Sequence, residues 1–379
     1  MRLVRLGLAM TLAGSSLFPA SSIVHTANAT ALARLAIYYG YPSLVNGANG
    51  DIEKAASVFN AYDVVVLGDG LEFPDRQPGR YPPGDPEEHQ KVLRIIAAVR
   101  DRRPGTRFYG YVCLGEMPSP KGEKISLTPA QLEERVTLWK QMGVAGIFLD
   151  EAGYDFAVVT RERQNMAVRM IHELGLSAFM NAYFLDHLFS SEDQLPHANG
   201  AEKNPEHLPP PLDRRDLFLL ESFQVRNSDY EDFSEWQARL NRALKYRRRY
   251  GARIFATTTT TEQQPFSLEK FNYAWWTALL YGLDGFSWGE PNFAAVTNAL
   301  AEHRCSLEST MLRGFEQPSP VASNHIRFWR QVGDYLVVGD TATHSIHRIP
   351  FDGSLEPRHI ANSLTSAQEA PLLTCGGGL

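Results

Sequence analysis

Eight short apolar or β-branched runs recur along this chain, with helical segments between most of them, and few folds accept that rhythm. They cover 35–42, 62–69, 107–115, 144–151, 176–183, 216–223, 253–260 and 284–290. A parallel strand pair needs a crossover of a dozen or more residues, usually a helix, so this alternation reads as repeated strand–helix–strand units. Eight of them predict a closed (β/α)₈ barrel. Such a barrel takes about 250 residues, so a chain of 379 leaves room for an appendage. The expected division is a leader over 1–29, a barrel over 34–304 and a small β-rich extension over 305–379, where the strand–helix rhythm stops.

The helices declare their starts. Asp85-Pro86-Glu87-Glu88 and Thr128-Pro129-Ala130-Gln131 each place a capping side chain, a proline at the first helical position and an acid or amide three residues on. Ser234 with Gln237 reads as a third capping box. Two long segments interrupt the pattern, 70–84 with Phe73 and Tyr81, and 185–213 with three consecutive prolines. Both follow strands, so they are expected to wall a groove at the end of the barrel where strands finish.

The most informative strand is Gly146-Ile147-Phe148-Leu149-Asp150-Glu151. It is a buried-strand pattern that stops at two acids, and parallel α/β folds place their chemistry at that end of the sheet. Period-2 alternation sets Phe148 and Asp150 on one face, with Ile147 and Leu149 on the other. On the sixth run Leu217, Leu219 and Glu221 share a face, so Glu221 is expected to project inward beside Asp150. The other strand ends supply Asp69, Glu116, Asn181 and Glu290, and the aromatic residues Tyr39, Tyr41, Tyr183, Phe223 and Trp288.

A mouth ringed by carboxylates and aromatic rings suits a sugar, whose apolar ring face stacks and whose hydroxyls accept and donate. Two carboxyls flanking a glycosidic bond are what its hydrolysis requires. Asp150 and Glu221 are therefore the expected catalytic pair, with Glu151 as a neighbouring acid able to raise a carboxyl pKa. Tyr39, Asp69, Glu116, Asn181, Tyr183 and Trp288 are the expected substrate contacts. By analogy with barrels that cleave α-linkages, Asp150 is the nucleophile and Glu221 the acid. A non-catalytic glycan-binding barrel and a hydrolase of another α-glycan are the competing readings.

Other chemistries lack their signatures. There is no His-x-His or Cys-x-x-Cys pair, no Gly-x-Ser-x-Gly elbow and no phosphate-cradling glycine loop, so neither metal nor cofactor is expected. Net charge is −6, and −8 (35 basic against 43 acidic residues) once 1–29 is set aside, which argues against nucleic acid as a partner. The expected partner is a polysaccharide, and the expected state a monomer. Arg2 and Arg5, an apolar run over 6–13 and Ala27-Asn28-Ala29 read as a secretion signal with its cleavage site, giving a secreted or periplasmic protein with no membrane attachment after processing. Cys305 and Cys375 are placed to pair after export, while Cys113 sits in a strand.

Several of these segments resemble a known group. Ile37-Tyr38-Tyr39-Gly40-Tyr41-Pro42, Gly110-Tyr111-Val112-Cys113-Leu114-Gly115-Glu116, Gly146 to Glu151 and Leu219-Leu220-Glu221-Ser222-Phe223 resemble motifs of secreted barrels related to spherulin 4, neighbours of the endo-α-1,4-polygalactosaminidases of glycoside hydrolase family 114. The resemblance spans roughly residues 35–300. It implies a (β/α)₈ endo-hydrolase acting on α-1,4-linked, galactosamine-containing polymers. The family's catalytic acids would fall on Asp150 and Glu221, and Glu151 would match a further acid of the spherulin 4 branch.

Overall fold

The computed structural model describes residues 32–77, 80, 82–119, 122–192, 200, 202–264, 266–305, 321–324, 326–364 and 372–375. The leader expected over 1–29 and Tyr81 lie outside them.

Eight parallel strands close into one barrel. In chain order they are β1 (Ala33–Tyr38), β2 (Val64–Leu67), β3 (Arg107–Cys113), β4 (Gly146–Asp150), β5 (Ser177–Asn181), β6 (Leu217–Leu220), β7 (Arg253–Thr257) and β8 (Gly285–Ser287), with β8 paired back onto β1. The expected (β/α)₈ architecture is present. Alternation works as the strands require: Leu35, Ile37, Val64, Val66, Tyr109, Phe148, Phe179, Leu217, Leu219 and Phe255 fill the interior, while Ile147 and Leu149 join the outer core beneath the helices. Phe179 lies edge-on to Phe148 at 5.1 Å and to Tyr109 at 5.6 Å, so the interior is packed rather than open.

The outer layer holds α1 (Ile52–Phe59), α2 (Pro86–Arg102), α3 (Pro129–Gln141), α4 (Arg161–Glu173), α5 (Leu185–Phe189), α6 (Phe233–Tyr250) and α7 (Leu268–Leu280). Thr128 and Gln131 close the expected capping box on α3. Asp85 caps α2, yet Glu88 leaves the box and accepts from the Ser43 N–H and hydroxyl instead, at 2.8 and 2.5 Å. The box expected from Ser234 and Gln237 is not formed: Asp232 is the cap, accepting from the Ser234 N–H at 2.8 Å. An acid two residues earlier offers a stronger acceptor than a serine hydroxyl. Gly110 admits α3, since a Cβ there would lie 2.1 Å from the Trp139 ring. Trp139 also donates to the Tyr111 carbonyl at 3.1 Å, fixing which face of β3 looks inward.

Residues 288–305, which follow β8, form no helix. They run back beside β1, with the Ala295 N–H donating to Ile37 at 2.9 Å and the Tyr39 N–H to Ala295 at 2.7 Å. A cavity of about 390 Å³ lies beside β1 and β8, lined by Leu35, Phe271, Trp275 and Phe286 among others. The C-terminal region forms an antiparallel sheet, β9 (Ala322–Ser323), β10 (Arg327–Val332), β11 (Tyr335–Asp340) and β12 (Ser345–Pro350), with α8 (Pro357–Ser363). It docks on α6 and α7 through Phe328 against Trp236 and Tyr281, and through Arg330 on the Leu280 carbonyl. A Cys305–Cys375 disulfide holds the tail, and Asn272 of α7 grips it through the Leu373 carbonyl and the Cys375 N–H. Cys113 is buried and free. Among the described residues no helix is long and apolar enough to cross a membrane.

Candidate active site

At the C-terminal end of the barrel three consecutive strands present Asp150, Asn181 and Glu221. Asp150 ends β4, Asn181 ends β5, and Glu221 is the residue after β6, continuing the inward face of Leu217 and Leu219. The Asn181 Nδ2 donates to Asp150 Oδ1 at 2.9 Å and to Glu221 Oε2 at 3.2 Å. One nitrogen touching both oxygens means that they cannot be more than about 6 Å apart, the sum of those two lengths. The structure thus brings these two acids together at the barrel mouth.

Each acid has a distinct setting. Asp150 is buried, and burial pushes its carboxyl above the ordinary aspartate range. Three donors oppose that rise: the Asn181 amide, the Glu151 N–H at 2.9 Å and the Tyr111 hydroxyl. Glu221 is also raised, first by burial and then by the Asp150 charge, against the Asn181 hydrogen bond and the nearby Arg239 and Arg226 cations. Its backbone carbonyl accepts from Arg239, which also holds Glu231 at 2.8 Å.

Glu151 faces elsewhere. Its backbone is left-handed, with φ of 52°, and its carboxylate accepts from the Glu116 N–H at 2.8 Å and lies 3.5 Å from the Cys113 thiol. Gly115 makes room, since a Cβ there would sit 2.6 Å from the Glu151 side chain. Glu151 thus ties the β3 loop to the end of β4, and burial raises its own pKa. Glu116 supplies the N–H of that tie and turns its carboxylate to Lys124 at 3.1 Å.

Tyr39 stands edge-on to Tyr111 at 5.1 Å. Its buried hydroxyl has no hydrogen-bond partner among the described residues, and its pKa is driven up by burial and then by the charges of Asp150, Glu221 and Asp69. Asp69 is bound by Arg135, which also holds the fully buried Glu72 at 2.5 Å. Burial lifts the Glu72 carboxyl to about 7, against the pull of Arg135. Tyr183 lies on the Glu221 side, with Arg239 and Arg226 at 4.7 and 5.2 Å from its ring. Trp288 is not brought to the acids: it packs in the outer layer on Phe266 and Phe271 and lines the cavity beside β8. Glu290 lines the same cavity. His187 is buried and accepts from the Tyr154 N–H at 3.0 Å.

Tyr111, Arg135, Arg226 and Arg239 escaped the sequence reading. Tyr111 had a signal, because it follows Tyr109 at period 2 on a strand whose inward face Tyr109 marks. The arginines come from helices and a hairpin, and nothing local to them announces the mouth. Among the described residues His172, Asp213 and Asp216 form the one grouping with metal-ligand proximity. Asp216 there already accepts from His172 and from the N–H groups of Ala178 and Asp213 at 2.8–3.1 Å, a hydrogen-bonded corner at the foot of β6.

No protein-family model and no curated protein matches the sequence. Among solved structures, Amy13B from Eubacterium rectale is 9% identical over 84% of this chain and 86% of its own, with a TM-score of 0.49. An α-amylase from Geobacillus thermoleovorans, complexed with acarbose, is 10% identical over 80% and 85%, with a TM-score of 0.44. A cyclic α-maltosyl-(1→6)-maltose hydrolase from Arthrobacter globiformis is 12% identical over 81% and 91%, with a TM-score of 0.43.

Proposed function

We propose that this protein is a retaining glycoside hydrolase that cleaves an α-linked, galactosamine-containing polysaccharide outside the cytoplasm. One observation carries the reading: a single amide nitrogen joins Asp150 and Glu221, holding their nearest oxygens within about 6 Å. Retaining enzymes keep their two carboxyls about 5–5.5 Å apart, whereas inverting ones leave about 6.5–9.5 Å for a water.

The settings of the two acids divide the labour. Three donors aim the Asp150 carboxylate and oppose the rise in its pKa that burial causes, as a nucleophile needs. Asp150 attacks the anomeric carbon, the bond to the leaving oxygen breaks, and Glu221 gives that oxygen its proton. Glu221 suits the part because burial and the neighbouring Asp150 charge favour its protonated form. Water then attacks the glycosyl–Asp150 ester, with Glu221 taking the proton back. The Tyr39 hydroxyl, without a hydrogen-bond partner among the described residues, is a donor for the sugar held between the acids. The family resemblance supports the galactosamine assignment. The arginine-led apolar leader and the Cys305–Cys375 bond, which needs an oxidising compartment, support export.

The test is the anomer released first from α-1,4-linked galactosamine oligomers, followed by proton NMR. The α-anomer is expected. Initial β-product would overturn retention, and binding without cleavage across amino and neutral α-glycans would make the barrel a glycan-binding protein.

A further inference from the structure

The chain does something costly immediately after Glu221. Ser222, Gln224, Asn227 and Ser228 all have φ between 50° and 69°, four non-glycine residues in left-handed conformation within seven positions. Such backbone persists only where its surroundings force it. Here the force comes from the threonine run that continues β7. Thr259 Oγ1 meets the Ser222 hydroxyl at 2.9 Å and accepts from the Asn227 N–H at 3.1 Å, and the Thr259 N–H donates to Val225 at 3.0 Å. The Thr261 N–H donates to Ser228 Oγ at 2.8 Å. These bonds fix a two-stranded ribbon, Val225–Arg226 with Asp229–Tyr230, against the end of the barrel.

What the ribbon displays is Arg226. Its side chain is exposed and its guanidinium has no hydrogen bond or ion pair among the described residues; it is held 5.2 Å over the Tyr183 ring, within electrostatic reach of Glu221 and Glu231. Arg239, by contrast, is spent on Glu231 and on the Glu221 carbonyl. When Glu221 carries the proton it must donate, Glu231 balances Arg239 and the Arg226 charge is left over.

We infer that Arg226, mounted on Tyr183, recognises an oxyanion substituent, a carboxylate or sulfate, on the leaving-group sugar. This rests on the proposed placement of the scissile bond between Asp150 and Glu221. A planar guanidinium offers two parallel donors to such a group, and Tyr183 fixes their plane. On the opposite side of the mouth, with Asp69, Glu116 and Glu151, the described cations Arg135 and Lys124 are each paired with an acid.

Calorimetric titration tests this without turnover. The probes are galactosamine oligomers with and without a galacturonate at the reducing end, against the wild-type Arg226, Arg226→Gln and Arg226→Lys proteins, all carrying Asp150→Asn so that the proposed cleavage does not consume the ligand. The Arg226 protein should bind the uronate-ended oligomer about tenfold more tightly. That preference should vanish in Arg226→Gln, persist in part in Arg226→Lys, and shrink as salt is raised. Equal affinities in the Arg226 protein, a preference surviving in Arg226→Gln, or no binding of either oligomer overturns the inference. Because cleavage is not read, loss of the hydrolase assignment alone would leave a measured charge preference standing.

Discussion

Two carboxylate pairs sit at the mouth of this barrel, each joined by one side chain, and the joining group sets what each pair can do. Asp69 and Glu72 share the guanidinium of Arg135, while Asp150 and Glu221 share the amide of Asn181. A buried cation neutralises its partners and locks them, since leaving it costs an unpaired charge. An amide positions its partners without cancelling their charge. The first pair is a structural clamp between β2 and α3; the second holds two acids close and imperfectly compensated, as the proposed proton transfer requires.

The largest effect that can break this contrast is loss of the pair proposed to be catalytic. Asp150→Asn and Glu221→Gln should each lower kcat by about 10⁴-fold, roughly 5.5 kcal/mol of barrel-mouth catalysis, with the fold intact by circular dichroism. For Glu221→Gln the loss should be smaller on substrates with an activated aryl leaving group, which need no proton. Equal loss on both substrates would move the acid role away from Glu221.

Next comes the clamp. Arg135→Met strands two acids that shared one cation and should cost about 3–5 kcal/mol, measured as a lowered urea midpoint. Adding Glu72→Gln should recover part of that, because it removes the fully buried partner. The same pair of changes made at Asn181 and Glu221 should leave stability almost untouched.

The third effect separates positioning from neutralising. Asn181→Leu keeps the volume and deletes the shared donor. A displacement of about 1 Å in a reacting group costs on the order of 10²-fold, so kcat should fall by that much. KM should change far less, because Asn181 orients the acids. A KM effect that outweighs the kcat effect would assign Asn181 to substrate binding.

How much of this could be read in advance depended on whether the signal was local. Asp150 and Glu221 were legible because each closes an apolar run whose alternation says which way it points. Glu151 was ambiguous for the same reason: alternation turns it off the Asp150 face, but only its left-handed backbone and the space left by Gly115 show that it stitches the β3 loop. Trp288 failed at the next level. It follows β8 directly, at the start of the non-helical stretch 288–305, and folds into the outer layer on Phe266. Arg135 is the instructive omission. It lies on α3 among ordinary helix-surface residues, and only the closure of the barrel brings it to acids 63 and 66 positions earlier.

The smallest effect reads the compensation of the Asp150 and Glu221 pair directly. Burial raises the Asp150 and Glu221 pKa values above their unfolded ones, so the folded state holds those protons more tightly. The associated stability is complete below the unfolded pKa values, near 4, and is lost as pH climbs through the raised folded values. Above them each ionised acid opposes folding. Asp150→Asn should therefore raise Tm at pH 8, by about 2–4 °C if the relieved cost is about 1 kcal/mol, and the gain should fade as pH falls toward 4. Arg135→Met should lower Tm throughout that range, since Arg135 stays charged. If Asp150→Asn instead lowers Tm at pH 8, its three donors stabilise the carboxylate more than burial penalises it, and the distinction between amide-joined and cation-joined acids collapses.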